Sequence, residues 1–220
     1  MAQTSVALVG DSFFLCGPRG NNVADTPSQD FRQQFQHPSH IHHTYVALGE
    51  GESYFIQFFD DRSRGYHITW SLSAYYPGLD KYLRKNNQRK FACVALGENG
   101  HYLFRDDWGS AWCLPESIEN RPELELDNNP DPVVKLWLGK DDAYYAEKRS
   151  GASLWNFRGN YGPLNQTVKY STSDVQILGM NLEDDRSYFI RFMDGRTQGN
   201  AGSSVSGLTL AKFRAWCDRL

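Results

Sequence analysis

Lys135, Asn181 and Tyr45 are the residues of this chain best placed to donate hydrogen bonds to a carbonyl oxygen. Trp137, two residues from Lys135, offers a flat aromatic face for a conjugated substrate such as a polyene or a quinone methide. Groups of this kind would act by orienting a reactant and stabilising developing charge, and no cofactor is implied. Cys93 and Ser5 fall at matching places in their own segments and complete a candidate ligand-binding set. Cys93 would serve as a nucleophile only with a base beside it. Its segment supplies just His101, across a turn, so a buried, inert thiol is the favoured reading.

Other chemistries are weaker. An extended backbone puts His40 and His42 on one face, with His43 or His37 as a third ligand, but no acidic or sulfur ligand accompanies them. A solvated loop is favoured and no metal site is assigned. The acidic pairs Asp60-Asp61, Asp106-Asp107, Asp141-Asp142 and Asp184-Asp185 could suit calcium or glycoside hydrolysis, yet they recur where hairpins must turn, which is ordinary turn chemistry. GxSxG, Walker-type, HExxH and dinucleotide motifs are absent, so hydrolase, nucleotide-dependent and zinc-protease readings have no support.

The candidate residues are positioned by a repeat. Val46-Ala47-Leu48-Gly49-Glu50 and Val94-Ala95-Leu96-Gly97-Glu98 are identical, and each has a Tyr five residues after its Gly, at Tyr54 and Tyr102. Leu136-Trp137-Leu138-Gly139 keeps that spacing to Tyr144, Met180-Asn181-Leu182 with Tyr188 gives another copy, and Val6-Ala7-Leu8 a shorter one. Each unit of about 42 residues reads as an apolar strand, a turn, an aromatic strand such as Ser53 to Phe59, an Asp/Gly turn, and a third segment. In three units that segment carries Trp70, Trp112 or Trp155, better suited to packing than to sugar stacking. Pro77 to Leu83 and Leu208 to Leu220 are the helix candidates.

One such unit cannot bury both faces of its small sheet, so the units must pack on one another. The expected fold is all-β: a single five-bladed β-propeller over residues 1–220. Its repeats fall near 4–38, 44–88, 90–128, 131–171 and 173–220, with short helical segments in connections and at the C-terminus. A closed barrel or sandwich is the alternative. The apolar strand, Gly/Asp turn, aromatic strand and Trp segment, repeated five times, resemble the five-bladed propeller of the tachylectin group of sugar-binding proteins. The LGxxxxYF-type units are also similar to those of small propeller-type hetero-Diels–Alderases of fungal tropolone-sesquiterpenoid pathways. These resemblances imply a fold and a class of activity, and carry no catalytic residue over.

If Val and Leu of each inner strand pack between units, the alternate residues face a central channel: Ser5 and Ala7, Tyr45 and Ala47, Cys93 and Ala95, Lys135 and Trp137, Gly179 and Asn181. The packing residues repeat and this lining does not. A multivalent lectin would repeat its contacts, whereas one asymmetric pocket suits a small molecule. The expected function is therefore a cofactor-independent enzyme guiding a cyclisation or isomerisation of a small-molecule substrate. A lectin-like binding module is the alternative, and a protein-interaction platform a third.

With 23 basic and 26 acidic residues and no basic run longer than two, nucleic acid is not an expected partner. No stretch approaches the roughly 18 apolar residues of a membrane span, and the N-terminus lacks a basic-then-apolar leader. Cys16, Cys93, Cys113 and Cys217 form no CxxC pair. A cytoplasmic protein with free thiols is the expectation.

Overall fold

The computed structural model describes residues 5–9, 12–17, 20–24, 29–33, 41–86, 93–106, 109–122, 124, 126, 130–200, 211 and 215. Up to residue 44, side chains are described only at 6–9, 14, 29–31 and 33. The described chain is mostly β and forms five small antiparallel three-stranded sheets in chain order. Sheet 1 is β1 (Ser5–Val9), β2 (Ser12–Gly17) and β3 (Gly20–Ala24), followed by the short helix α1 (Gln29–Gln33). Sheet 2 is β4 (Ile41–Leu48), β5 (Tyr54–Asp60) and β6 (Gly65–Ser71), followed by α2 (Pro77–Lys85). Sheet 3 is β7 (Cys93–Leu96), β8 (Tyr102–Arg105) and β9 (Ser110–Cys113), followed by α3 (Glu116–Glu119). Sheet 4 is β10 (Val133–Leu138), β11 (Tyr144–Lys148) and β12 (Ser153–Asn156), followed by α4 (Gly162–Tyr170). Sheet 5 is β13 (Val175–Met180), β14 (Tyr188–Phe192) and β15 (Thr197–Asn200). The expected C-terminal helix lies outside the described residues except for Ala211 and Ala215, both helical.

The first strands of the sheets touch in cyclic order: β1 meets β4, β4 meets β7, β7 meets β10, β10 meets β13, and β13 returns to β1. Packing is face to face. Ala7 and Phe14 of sheet 1 share a buried cluster with Val46, Leu48 and Ile56 of sheet 2. Ala47 and Phe55 meet Val94 and Leu96 in the same way, and Ala95 and Leu103 meet Leu136 and Leu138. The small residues are thus explained by close approach of neighbouring sheets. Gly179 is the extreme case, since a Cβ there would lie 2.6 Å from Val6 Cγ1 of β1. The Ala face thus packs against a neighbouring sheet, and its residues Ala7, Ala47, Ala95 and Gly179 also border the cavity enclosed by the inner strands.

Two tyrosines tie the turns of adjacent sheets together. Tyr76, just before α2, donates its hydroxyl to the Gly97 carbonyl at 2.7 Å and accepts the Glu50 N–H at 3.0 Å. Tyr161, just before α4, does the same between the Asn181 carbonyl, at 2.5 Å, and the Lys140 N–H, at 2.9 Å. Carboxylates add further links, Glu50 to the Gly100 N–H and Glu98 to the Asp141 N–H. Neither tyrosine hydroxyl can be lost without leaving buried backbone groups unpaired.

The recurrent tryptophans have a shared structural role. Trp70, Trp112 and Trp155 lie on the third strands, and their indole N–H groups donate to Asp80 of α2, Glu119 of α3 and Asn165 of α4. Each fastens a sheet to the helix that follows it. The acidic turn residues likewise act locally. Asp60 accepts the Arg62 N–H, Asp106 the Gly109 N–H and Asp184 the Arg186 N–H.

Candidate functional site

The five inner strands surround a cavity of about 570 Å3, within the range of small-molecule sites. Its wall changes character along the inner strands. Toward the strand ends the wall is Leu8, Leu48, Leu96, Leu138, Met180 and Leu182, all buried. Toward the strand starts it carries heteroatoms, from Tyr45, Gln57, Tyr66, Cys93, Lys135 and Gln176. Two of these reach solvent, the side chain of Lys135 being 36% exposed and Tyr66 45% exposed, whereas Gln57 and Cys93 are buried.

Two local devices shape the polar end. A register shift places one extra residue in each of three inner strands, Thr44 between His43 and Tyr45, Val134 between Val133 and Lys135, and Gln176 between Val175 and Ile177. Such bulges bend a strand and re-aim its side chains, and Val134 and Gln176 both reach the cavity wall. Sheet 2 is also longer than the others, with strands of eight, seven and seven residues. Its far end carries Tyr66 packed edge-on against Phe59, with centroids 5.1 Å apart, and His67 stacked on Phe58. Tyr66 lies on the outer strand β6 and still lines the cavity, so this end of sheet 2 forms an aromatic lip beside the opening.

Among the described residues of the wall, Lys135 is the charged group. Its Nζ lies 3.0 Å from both carboxylate oxygens of Glu147, its cross-strand partner on β11, and 6.0 Å from the Trp137 ring centroid. Trp137 is half-buried, packs against the cluster between sheets 4 and 5, and meets Tyr145 edge-on at 5.6 Å. It lines the cavity beside Lys135.

The remaining candidates divide. Tyr45 lines the cavity, but its hydroxyl donates to the Val94 carbonyl at 2.6 Å and accepts the Val94 N–H at 3.3 Å. Burial, and then the neighbouring Cys93, push its pKa well up. It therefore bridges β4 to β7, and its proton is committed to backbone; it cannot serve as the donor expected of it without breaking that bridge. Cys93 also lines the cavity, and burial pushes its thiol pKa up, which suits the inert reading. His101 is far from acting as its base: its ring sits 3.8 Å from Asp142 and is not part of the cavity wall. The side chain of Ser5 lies outside the described residues, as do those of the histidine cluster, His37, His40, His42 and His43.

Asn181 is a correction. It is wholly buried and does not line the cavity; its side-chain oxygen accepts the Glu183 N–H at 3.0 Å and its carbonyl receives Tyr161. Strand pairing shows why. Gly179 pairs with Phe189 as Ala47 pairs with Phe55, and Met180 pairs with Tyr188 as Leu48 pairs with Tyr54. Asn181 is therefore the counterpart of Gly49 and Gly97, and Ile177 takes the place of Tyr45 and Cys93. The turn closed by Asn181 N–H to Ser187 is two residues longer than the one closed by Gly49 N–H to Ser53, which shifted the alignment by two.

Gln57, Tyr66 and Gln176 are cavity residues that sequence reasoning missed. Gln57 was accessible to it, as the residue two after the Phe55 that faces Ala47. Among the described residues, no group of three or more His, Cys, Asp or Glu could hold a metal ion, and no helix is long and apolar enough to cross a membrane. No protein-family model and no curated protein matches the chain.

Proposed function

We propose that the chain is a five-bladed β-propeller whose central cavity holds one small molecule, and that it is a cofactor-independent enzyme guiding a cyclisation or isomerisation. The carrying observation is the asymmetry of the cavity. Five related strands line it, yet among the described residues one of them alone brings a charge and a large aromatic face, at Lys135 and Trp137. Such a site binds a single ligand in one orientation. Trp137 would hold the flat part of the substrate, Lys135 would donate to an oxygen on which negative charge grows, and the apolar walls would exclude water and favour a folded, reactive conformer. Glu147 keeps the Lys135 ammonium in place.

The lectin reading draws least support, because the recurring tryptophans already bond their own helices through the indole N–H and stand on the third strands. Native mass spectrometry of the protein purified from its producing cell tests the proposal. One apolar metabolite per chain, lost in Trp137→Ala, is expected. Several sugars per chain, with signal on a glycan array that depends on Trp70, Trp112 and Trp155, would overturn it.

A further inference from the structure

The geometry points to a one-headed ligand: an apolar body lying along the inner strands among the leucines, and a hydrogen-bond-accepting oxygen, of the ketone or aldehyde class, held at the rim by Lys135. This rests on the reading of the cavity as a small-molecule site and adds the chemistry and direction of its occupant.

The direction follows from the distribution of heteroatoms. From Tyr45 to Leu48, and equally from Cys93 to Leu96 and Lys135 to Leu138, each wall strand spans three residue steps, about 10 Å. Over that length the wall passes from groups able to hydrogen-bond to buried Leu and Met side chains. A polar group at the leucine end would lose its water without gaining a partner. The same group at the rim meets Lys135, Gln176 and the Tyr66 lip.

The head is an acceptor because of what the rim has to offer. A lysine ammonium is donor-only and carries three N–H bonds. Both Glu147 oxygens lie to one side of it, each at 3.0 Å, which leaves N–H on the other side for a ligand. The carboxylate partner also balances the charge of the ammonium, so a neutral carbonyl oxygen gains a charge-assisted hydrogen bond without having to displace Glu147. An ionised carboxylate head would face Glu147 as a like charge. Two of the other rim heteroatoms are less available: the Tyr45 hydroxyl is bonded to Val94, and the Cys93 thiol is held neutral in a buried setting.

The test uses the full-length protein and the neutral fluorescent probe N-phenyl-1-naphthylamine, displaced by either of two isomeric ketones, nonan-2-one and nonan-5-one. The isomers have the same composition and differ in whether the oxygen sits at an end or in the middle of the chain. A one-headed cavity is expected to prefer nonan-2-one by about tenfold or more, the effect of one charge-assisted hydrogen bond gained against one polar group stranded in the apolar wall. The paired variant Lys135→Met/Glu147→Gln, which leaves no lone charge behind, is expected to reduce that preference to about twofold or less, and Lys135→Arg to retain it. Equal displacement by both isomers would overturn the one-headed orientation while leaving the cavity as a binding site. A preference that survives the paired variant would overturn Lys135 as the partner of the head. Absence of probe binding, or binding that Trp137→Ala leaves unchanged, would overturn the small-molecule reading itself and the inference with it.

Discussion

Replacing Tyr161 by Phe should destabilise the fold by about 2 kcal/mol, within a range of about 1–3 for buried groups left unpaired. The substitution keeps the ring, which packs against Phe157 in the buried cluster between sheets 4 and 5, and removes only the hydroxyl. Two backbone partners are lost at once: the Asn181 carbonyl, which accepts at 2.5 Å, and the Lys140 N–H, which donates at 2.9 Å. Asn181 is wholly buried, so water cannot readily replace the hydroxyl there. For a chain of this length about 2 kcal/mol corresponds to a melting temperature roughly 4–8 °C lower. Urea unfolding of wild type, Tyr161→Phe, Tyr76→Phe and the double variant would measure it, with Tyr76→Phe expected to behave alike because its bonds to Gly97 and Glu50 repeat the arrangement. The pH dependence supplies an independent check. Burial pushes both phenol pKa values well above the ordinary tyrosine value, so the folded state keeps protons that the unfolded chain releases near pH ~10. Wild-type stability is therefore complete below that pH and falls as pH rises beyond it, and the gap between wild type and Tyr161→Phe should narrow there. A destabilisation under about 0.5 kcal/mol at pH ~7 would refute the view that these hydroxyls join the sheets.

Gly179→Ala should destabilise the fold by about 1–3 kcal/mol, the range for overpacking, because its new Cβ meets Val6 at 2.6 Å; thermal melting would show it, and an unchanged melting temperature would mean that β13 and β1 are not held at this separation. Of the two cysteines with described side chains, Cys113 is exposed and Cys93 buried with a raised pKa. Iodoacetamide near pH ~8 should therefore label Cys113 first, read by peptide mass spectrometry, and prior labelling of Cys93 would contradict the packed wall.

How far the sequence carried the fold can be argued from the inner strands. Repetition of Val-Ala-Leu-Gly and the Tyr after it located the hairpins of sheets 2, 3 and 4, because a hairpin turn of constant length preserves spacing. The fifth unit broke that rule by two residues. With one chain and no second marker, the apolar run Met180 to Leu182 matched the pattern and made Asn181 a site residue. The pairing of Phe189 with Gly179 removes it. Faces were harder still. Alternation shows that two faces exist, but an Ala is as consistent with a channel as with a tight interface, and Ala47 serves both, packing on Val94 and Leu96 while bordering the cavity. A further signal is legible in the sequence. Tyr76-Pro77-Gly78-Leu79-Asp80 and Tyr161-Gly162-Pro163-Leu164-Asn165 share Tyr, Leu and an acid or its amide at the same spacing, each six residues after a Trp. That pattern encodes the inter-turn tyrosine, the buried Leu of the helix and the acceptor for the indole. Trp137 was recoverable because it departs from the small residues at the same place in the other units, and Lys135 stands two residues before it. Tyr66 was not, since its place at the rim depends on the extra length of sheet 2.

The return of β13 to β1 has a consequence for how the protein is made. A ribosome delivers sheet 1 first, and the strand that covers Val6 and Leu8 comes roughly 170 residues later, on the order of ten seconds or more at ordinary elongation rates. During that interval one apolar face of the newborn chain has no partner. The last repeat therefore acts as a clasp, and a message truncated before it would yield four sheets with two open flanks, a species prone to pairing with its own copies.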